Sequence, residues 1–191
     1  MSSLTLFHHV RGLTPGVREL AERLRAAGHE VRTPDLFDGR TFASIEEGFT
    51  HVQSLGFDAV TARGVAAFAE HPTDAVGGLS LGAMPAQTVL QTVPGVRAGI
   101  LLHAFIDPEQ LDGTLPAGVL VHVHGAAEDP FFVEEGDLDA ARAWSAAHPE
   151  VVVTVHPGSG HLFTDSSTED FDPVETDAVV ADMTTLLDRV G

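Results

Sequence analysis

The chain has 191 residues, 43% of them hydrophobic and 20% charged, with a formal charge of -18. Its size and composition suit one globular domain with a sizeable core, and its acidity argues against a general affinity for nucleic acid or an anionic membrane, which both need cationic surface. Cysteine is absent, which removes disulfides, thiolate metal sites and a cysteine nucleophile; the sequence shows neither a basic leader nor an apolar stretch of ~20 residues, so a cytoplasmic protein is expected.

Residues 4–9 (LTLFHH) read as a first strand, and 15–27 as a helix with Val17, Leu20, Ala21, Leu24 and Ala27 on one apolar stripe. Gly28 suits the helix end, and Arg23 and Arg25 face the negative end of its dipole. Residues 30–33 form a second strand, and this succession is a βαβ unit, which implies a parallel sheet. A loop over 35–40 (DLFDGR) leads to a helix over 44–54, with Ile45, Phe49 and Val52 inward, and a further helix over 57–70 that His71-Pro72 ends. A short apolar run over 74–78 closes a buried strand, and 83–93 reads as a helix. Residues 97–104 (RAGILLHA) and 118–124 (GVLVHVH) are nearly unbroken apolar runs, as expected of strands covered on both faces. A helix over 137–147, a strand over 151–156 (VVVTVH), a polar loop over 157–173 and a helix over 174–190 complete the chain. No repeat or dividing linker is visible. The expected architecture is therefore α/β: one domain over 1–191 built on a doubly wound, mostly parallel sheet of about six to seven strands. Ligands should bind beyond the carboxyl ends of the strands.

Gly78-Leu79-Ser80-Leu81-Gly82 is a Gly-x-Ser-x-Gly motif between the strand over 74–78 and the helix over 83–93. That is the context of a nucleophile elbow, where the serine is held in an unfavourable backbone conformation and flanking glycines avoid clashes. Gly-rich strand-to-helix turns also serve only close packing, so the motif needs partners. A serine nucleophile needs a base, and the base needs an orienting carboxylate. Asp129 follows the strand over 118–124, in HGAAEDP, and His161 follows the strand over 151–156, in PGSGHLF. Each candidate occupies its own strand-end loop, and the order Ser, Asp, His is that of the α/β-hydrolases.

PDLFDGRTF, GLSLGA, VHVHGAAEDPF and HPGSGHLFTD, spread over most of the chain, resemble the dienelactone hydrolase family of that superfamily. The resemblance implies an α/β-hydrolase fold, a carboxylic ester hydrolase, and Ser80 as nucleophile, Asp129 as acid and His161 as base. It also implies an oxyanion hole from the backbone N–H of Leu81 and one from the loop after the first strand, at Val10 or His9. Dienelactone-cleaving members carry a Cys where this chain has Ser80. They carry a Glu where His8 or His9 stands, and an anion-binding Arg where Asp165 stands. A neutral ester or lactone is therefore expected, with Asp165 repelling carboxylated substrates. Pocket walls are expected from Phe131 and Phe132 first, then Met84, Phe105, Leu162 and Phe37, each of which could equally be core. No cofactor or metal is expected. His122 and His124 lie two apart on one strand face, but no acidic partner is evident to complete a metal site. The partner expected is a small-molecule substrate, with the chain a monomer or homodimer; a catalytically silent binding module and an acyltransferase using the same triad are the alternatives.

Overall fold

Residues 1–111 and 114–191 are described by a computed structural model. Six strands form one sheet in the order β2-β1-β3-β4-β5-β6. They are β1 (Ser3–Phe7), β2 (Glu30–Arg32), β3 (Ala75–Leu79), β4 (Ala98–Leu102), β5 (Leu120–Ala126) and β6 (Val151–His156), and every pairing is parallel. The helices are α1 (Pro15–Ala26), α2 (Ile45–Leu55), α3 (Phe57–Glu70), α4 (Ala83–Thr92), α5 (Pro130–Val133), α6 (Asp137–Ala147) and α7 (Pro173–Val190). Among the described residues no helix is long and apolar enough to cross a membrane.

Two apolar layers sandwich the sheet because neighbouring strand residues point to opposite faces. Leu4, Leu6, Ile100 and Leu102 pack with Val17, Leu20 and Leu24 of α1 and Met183 and Leu187 of α7. Phe7, Val76, Leu101, Val121 and Val123 pack with Val60 and Phe68 of α3 and Ala86 and Leu90 of α4. Pro85 lies in the first turn of α4, where its missing N–H has no helical partner to lose, and its ring fits against Gly64 of α3.

The chain leaves β1 in one direction to reach β2, then crosses to β3 and proceeds to β6 in the other direction. The crevice at that reversal opens between the carboxyl ends of β1 and β3, where α/β sheets bind ligands.

Several elements depart from the sequence reading. The first strand stops at Phe7, so His8 and His9 belong to the following loop. The short helix α5 was not foreseen; the Asp129 carboxylate accepts from the Phe131 N–H and Pro130 occupies the first position, together a strong helix start. Val52 of α2 is buried as expected, but Phe49 is 44% exposed. It lies over the crevice instead of entering the core. Within the polar loop after β6, residues 161–165 are all buried.

Candidate active site

β3 runs straight to Leu79, and a single 3-10 turn over Ser80–Gly82 feeds α4. Ser80 is left-handed, with φ 49, a conformation that costs a non-glycine residue about 1–3 kcal/mol and persists only where its surroundings enforce it. The glycines explain the enforcement. A Cβ on Gly78 would collide with the Gly82 carbonyl, and one on Gly82 would stand 2.5 Å from the Phe7 carbonyl oxygen. The turn thus presses against β1 and lifts the Ser80 hydroxyl above the sheet.

His161 and Asp129 reach that hydroxyl from neighbouring loops. The Ser80 Oγ–H donates to His161 Nε2 at 2.8 Å, and His161 Nδ1–H donates to Asp129 Oδ2 at 2.7 Å. A carboxylate only accepts, which places the imidazole proton on Nδ1 and leaves Nε2 free to take one from serine. Asp129 is fully buried, its other oxygen holding the start of α5. The Phe131 ring covers the imidazole, with centroids 4.6 Å apart.

Ser80 and His161 open into a cavity of about 540 Å³. Ile45, Phe49, Phe57, Leu81, Met84 and Phe131 supply most of its apolar wall, with Val10, Ala104 and Ile106 completing it. Glu46, Glu135 and Asp137 add carboxylates, and among the described lining residues there is no Lys or Arg. Burial, reinforced by the Glu135 charge, pushes the Asp137 carboxyl up to about 6; Asp137 also accepts from the Phe105 N–H at 2.9 Å.

The sequence-derived candidates divide. Leu81 and Val10 line the cavity with Ser80, as do Met84 and Phe131. The His9 ring does not line the cavity: its Nε2–H donates to Asp165 at 2.6 Å and its Nδ1 accepts from the Arg11 N–H, contacts that leave open the expected role of its backbone N–H. Phe37, Phe105, Phe132 and Leu162 are core residues with at most 2% exposure, not pocket walls. Phe132 is drawn inward because Gly125 leaves room for its ring against β5.

Asp165 also differs from expectation. It is fully buried and accepts from His9, from the Thr14 hydroxyl at 2.5 Å, and from the Ser167 N–H and hydroxyl at 2.8 and 2.6 Å. Burial pushes its carboxyl up, but the hydrogen bonds of His9, Ser167 and Thr14 more than reverse this and hold it well below the usual carboxylate range. Asp165 therefore ties the His161 loop to the start of α1 and does not line the cavity; the acids facing the cavity are Glu46, Glu135 and Asp137. His8 is equally committed: Nδ1–H donates to the His9 carbonyl, Nε2 accepts from the Leu36 N–H, and burial lowers it to about 4.

Sequence reasoning gave His103 no place in the cavity. It follows β4 with φ 69, lines the cavity, and lies 5.9 Å from the His161 ring. Its Nε2 meets the Thr164 hydroxyl at 2.7 Å while its buried Nδ1 has no partner, and burial drives it well below the ordinary histidine range. The missing acidic partner of His122 and His124 also emerges, as Asp182 of α7, sixty residues away from His122.

The whole described chain shares its fold with known hydrolases. A protein designated m3DLH superposes with a TM-score of 0.74 at 22% identity, covering 98% of this chain and 86% of that one. A dienelactone hydrolase-like promiscuous phosphotriesterase, P91, from metagenomic libraries gives 0.72 at 18% identity over 100% and 87%. A cold-adapted esterase from an Arctic intertidal metagenomic library gives 0.63 at 19% identity over 97% and 83%. No curated protein matches the chain. The model of the dienelactone hydrolase family matches residues 3–191. With that match over nearly its full length, the chain belongs to the dienelactone hydrolase family and is an α/β hydrolase acting on ester bonds.

Proposed function

We propose that the protein cleaves small neutral carboxylic esters or lactones through an acyl-enzyme on Ser80. His161 Nε2 takes the proton of the Ser80 hydroxyl as Oγ attacks the carbonyl carbon, and Asp129 stabilises the imidazolium formed. The resulting oxyanion is received by the backbone N–H groups of Leu81 and Val10, each such donor contributing about two to three powers of ten in rate. Collapse breaks the bond to the alkoxide, which leaves with the proton from His161. Water, deprotonated by His161, then attacks the acyl carbon; the acid departs and Ser80 recovers its proton.

The observation that carries this reading is the continuous Ser80–His161–Asp129 hydrogen-bond chain ending in the cavity. Neutral substrates are favoured by the apolar wall, and Glu46, Glu135 and Asp137 disfavour an anion. A screen of short nitrophenyl esters and small lactones tests it. Ser80→Ala should lower kcat by roughly 10⁴-fold or more while keeping the fold, as loss of a triad nucleophile does. A fluorophosphonate should label Ser80 in the unaltered chain. No labelling together with no turnover would identify a silent binding module, and an unchanged rate in Ser80→Ala would remove Ser80 from the chemistry.

A further inference from the structure

On the α7 side of the sheet, away from the cavity, a chain of side chains joins two carboxylates through histidines. His122 Nδ1 lies 2.6 Å from Asp182 Oδ2, and His124 Nε2 lies 3.0 Å from the same oxygen. His124 Nδ1 lies 3.0 Å from His156 Nε2, and His156 Nδ1 lies 2.8 Å from Glu175 Oε2. His122, His124 and His156 are all buried.

Counting protons along this chain exposes a deficit. Between Asp182 and Glu175 there are three close polar contacts, and both ends only accept. Two neutral imidazoles, His124 and His156, bring one N–H each. If His156 donates to Glu175 and His124 donates to His156, then His124 Nε2 points a lone pair at the Asp182 carboxylate. If both rings turn the other way, the unmatched pair forms at Glu175. One more positive centre is needed along the chain.

We propose that His122 Nδ1, His124 Nε2 and Asp182 Oδ2 bind a divalent transition-metal ion of the zinc type. The three atoms already lie within 4.8 Å of one another. A cation at their centre resolves the count: both imidazoles offer lone pairs to the metal, His124 Nδ1–H donates to His156, and His156 Nδ1–H donates to Glu175. The chain from Glu175 then orients His124 as carboxylate–histidine pairs orient metal ligands elsewhere. Zinc–ligand bonds of about 2.0–2.2 Å in a tetrahedron set donors roughly 3.3 Å apart, so Asp182, whose oxygen is now 2.6 Å from His122 and 3.0 Å from His124, must draw back by about 0.3–0.7 Å. It can, because its side chain is 33% exposed on the outer edge of α7, which also leaves the fourth position to water. Two imidazoles and one carboxylate suit zinc better than magnesium or calcium, which prefer all-oxygen sites. The ion would clamp α7 to β5, and through His156 to β6, whose end leads into the His161 loop.

The test is titration of Zn²⁺ and Co²⁺ into the chelator-stripped full chain, beside Asp182→Asn, His122→Gln and the exposed control His71→Ala. The expected result is one equivalent bound with micromolar or tighter Kd, weakened at least tenfold in the first two variants and unchanged in the control. Co²⁺ should give tetrahedral visible bands, and Zn²⁺ at about a hundred times Kd should raise Tm by roughly 5–10 °C. The Co²⁺ bands of the unaltered chain test the site even if a variant fails to fold. Equal binding in all chains, no tetrahedral bands, or a histidine NMR spectrum showing an imidazolium in the network that Zn²⁺ leaves untouched would overturn the proposal.

Discussion

Replacing Asp137 by Asn should stabilise the protein at neutral pH and hardly at all near pH 4. Asp137 begins α6 at the cavity wall, and burial raises its carboxyl from 3.8 to about 6. In the unfolded chain it ionises first, so between these two values the folded state binds more protons and stability falls as pH rises. The full gap of about two pH units corresponds to about 3 kcal/mol at 1.36 kcal/mol per unit. The group is half-buried, and solvent screening reduces this to about 1–2 kcal/mol. An Asn oxygen can still accept from the Phe105 N–H, while loss of the negative charge at a helix N-terminus returns about 0.3–1 kcal/mol. The net expectation at pH 7.5 is a gain of about 1 kcal/mol, shrinking to zero or a slight loss at pH 4. Urea unfolding of both chains across pH 4–8 measures it. A variant whose advantage is constant with pH, or largest in acid, would refute the assignment of a burial-strained carboxyl.

Two phenylalanines should behave oppositely, one in the core and one on the cavity wall. Phe132→Ala should cost about 3–5 kcal/mol as a fully buried ring is lost, whereas Phe49→Ala should change stability by less than about 0.5 kcal/mol and raise KM for longer acyl chains; denaturation and ester kinetics on the two variants separate these outcomes. Asp165→Ala strands His9 and Thr14 and should cost about 3–5 kcal/mol at pH 7. Because this carboxyl is held below its unfolded value of 3.8, its contribution is present above that pH and lost as pH falls below it, so the difference between the two chains should narrow at pH 3. For matched esters whose leaving groups end in trimethylammonium, a neutral group or a carboxylate, kcat/KM should be lowest for the carboxylate at low salt, and the gap should close as the Debye length falls from about 30 Å at 0.01 M to about 3 Å at 1 M; preference for the anion at low salt would contradict the reading of Glu46, Glu135 and Asp137.

What the sequence made legible was whatever depends on local pattern. The stripe at Val17, Leu20, Ala21 and Leu24 is buried along α1, and the apolar runs became β4 and β5. Strand-end positions predicted that Ser80, Asp129 and His161 lie at the same edge of the sheet, since parallel strands end together. Less legible was anything decided by a contact distant in sequence. Which of Phe131 and Phe132 faces the cavity depends on α5, and α5 depends on Asp129 capping it. Asp165 reads as an exposed loop acid until the loop is seen folded under Thr14. Asp182 sits on an amphipathic helix with other acids, and only its register against β5 brings it to His122 and His124. His103 lies at the end of the expected strand over 97–104, which places it at the same sheet edge, but its left-handed φ and its turn into the cavity are not legible in the sequence.

The same logic singles out one candidate base among eleven histidines. A general base needs one ring nitrogen fixed by an acceptor and the other free to take a proton beside a substrate. His8 and His9 have both nitrogens engaged in holding the loop after β1. His124 and His156 are engaged with each other and with Asp182 and Glu175. Only His103 and His161 line the cavity among the described histidines. His103 lacks a carboxylate, and its deep burial opposes the imidazolium a base must become. His161 has Asp129 on Nδ1 and the Ser80 hydroxyl on Nε2, so in the mechanism we propose the cation formed on taking the serine proton would be met by a charge already in place. The positions of His8 and His9 fit the same scheme. A serine hydroxyl stays protonated at rest and needs no ionic neighbour to manage it, so the loop after β1 is free to be locked by Asp165 and to present Val10 to the cavity.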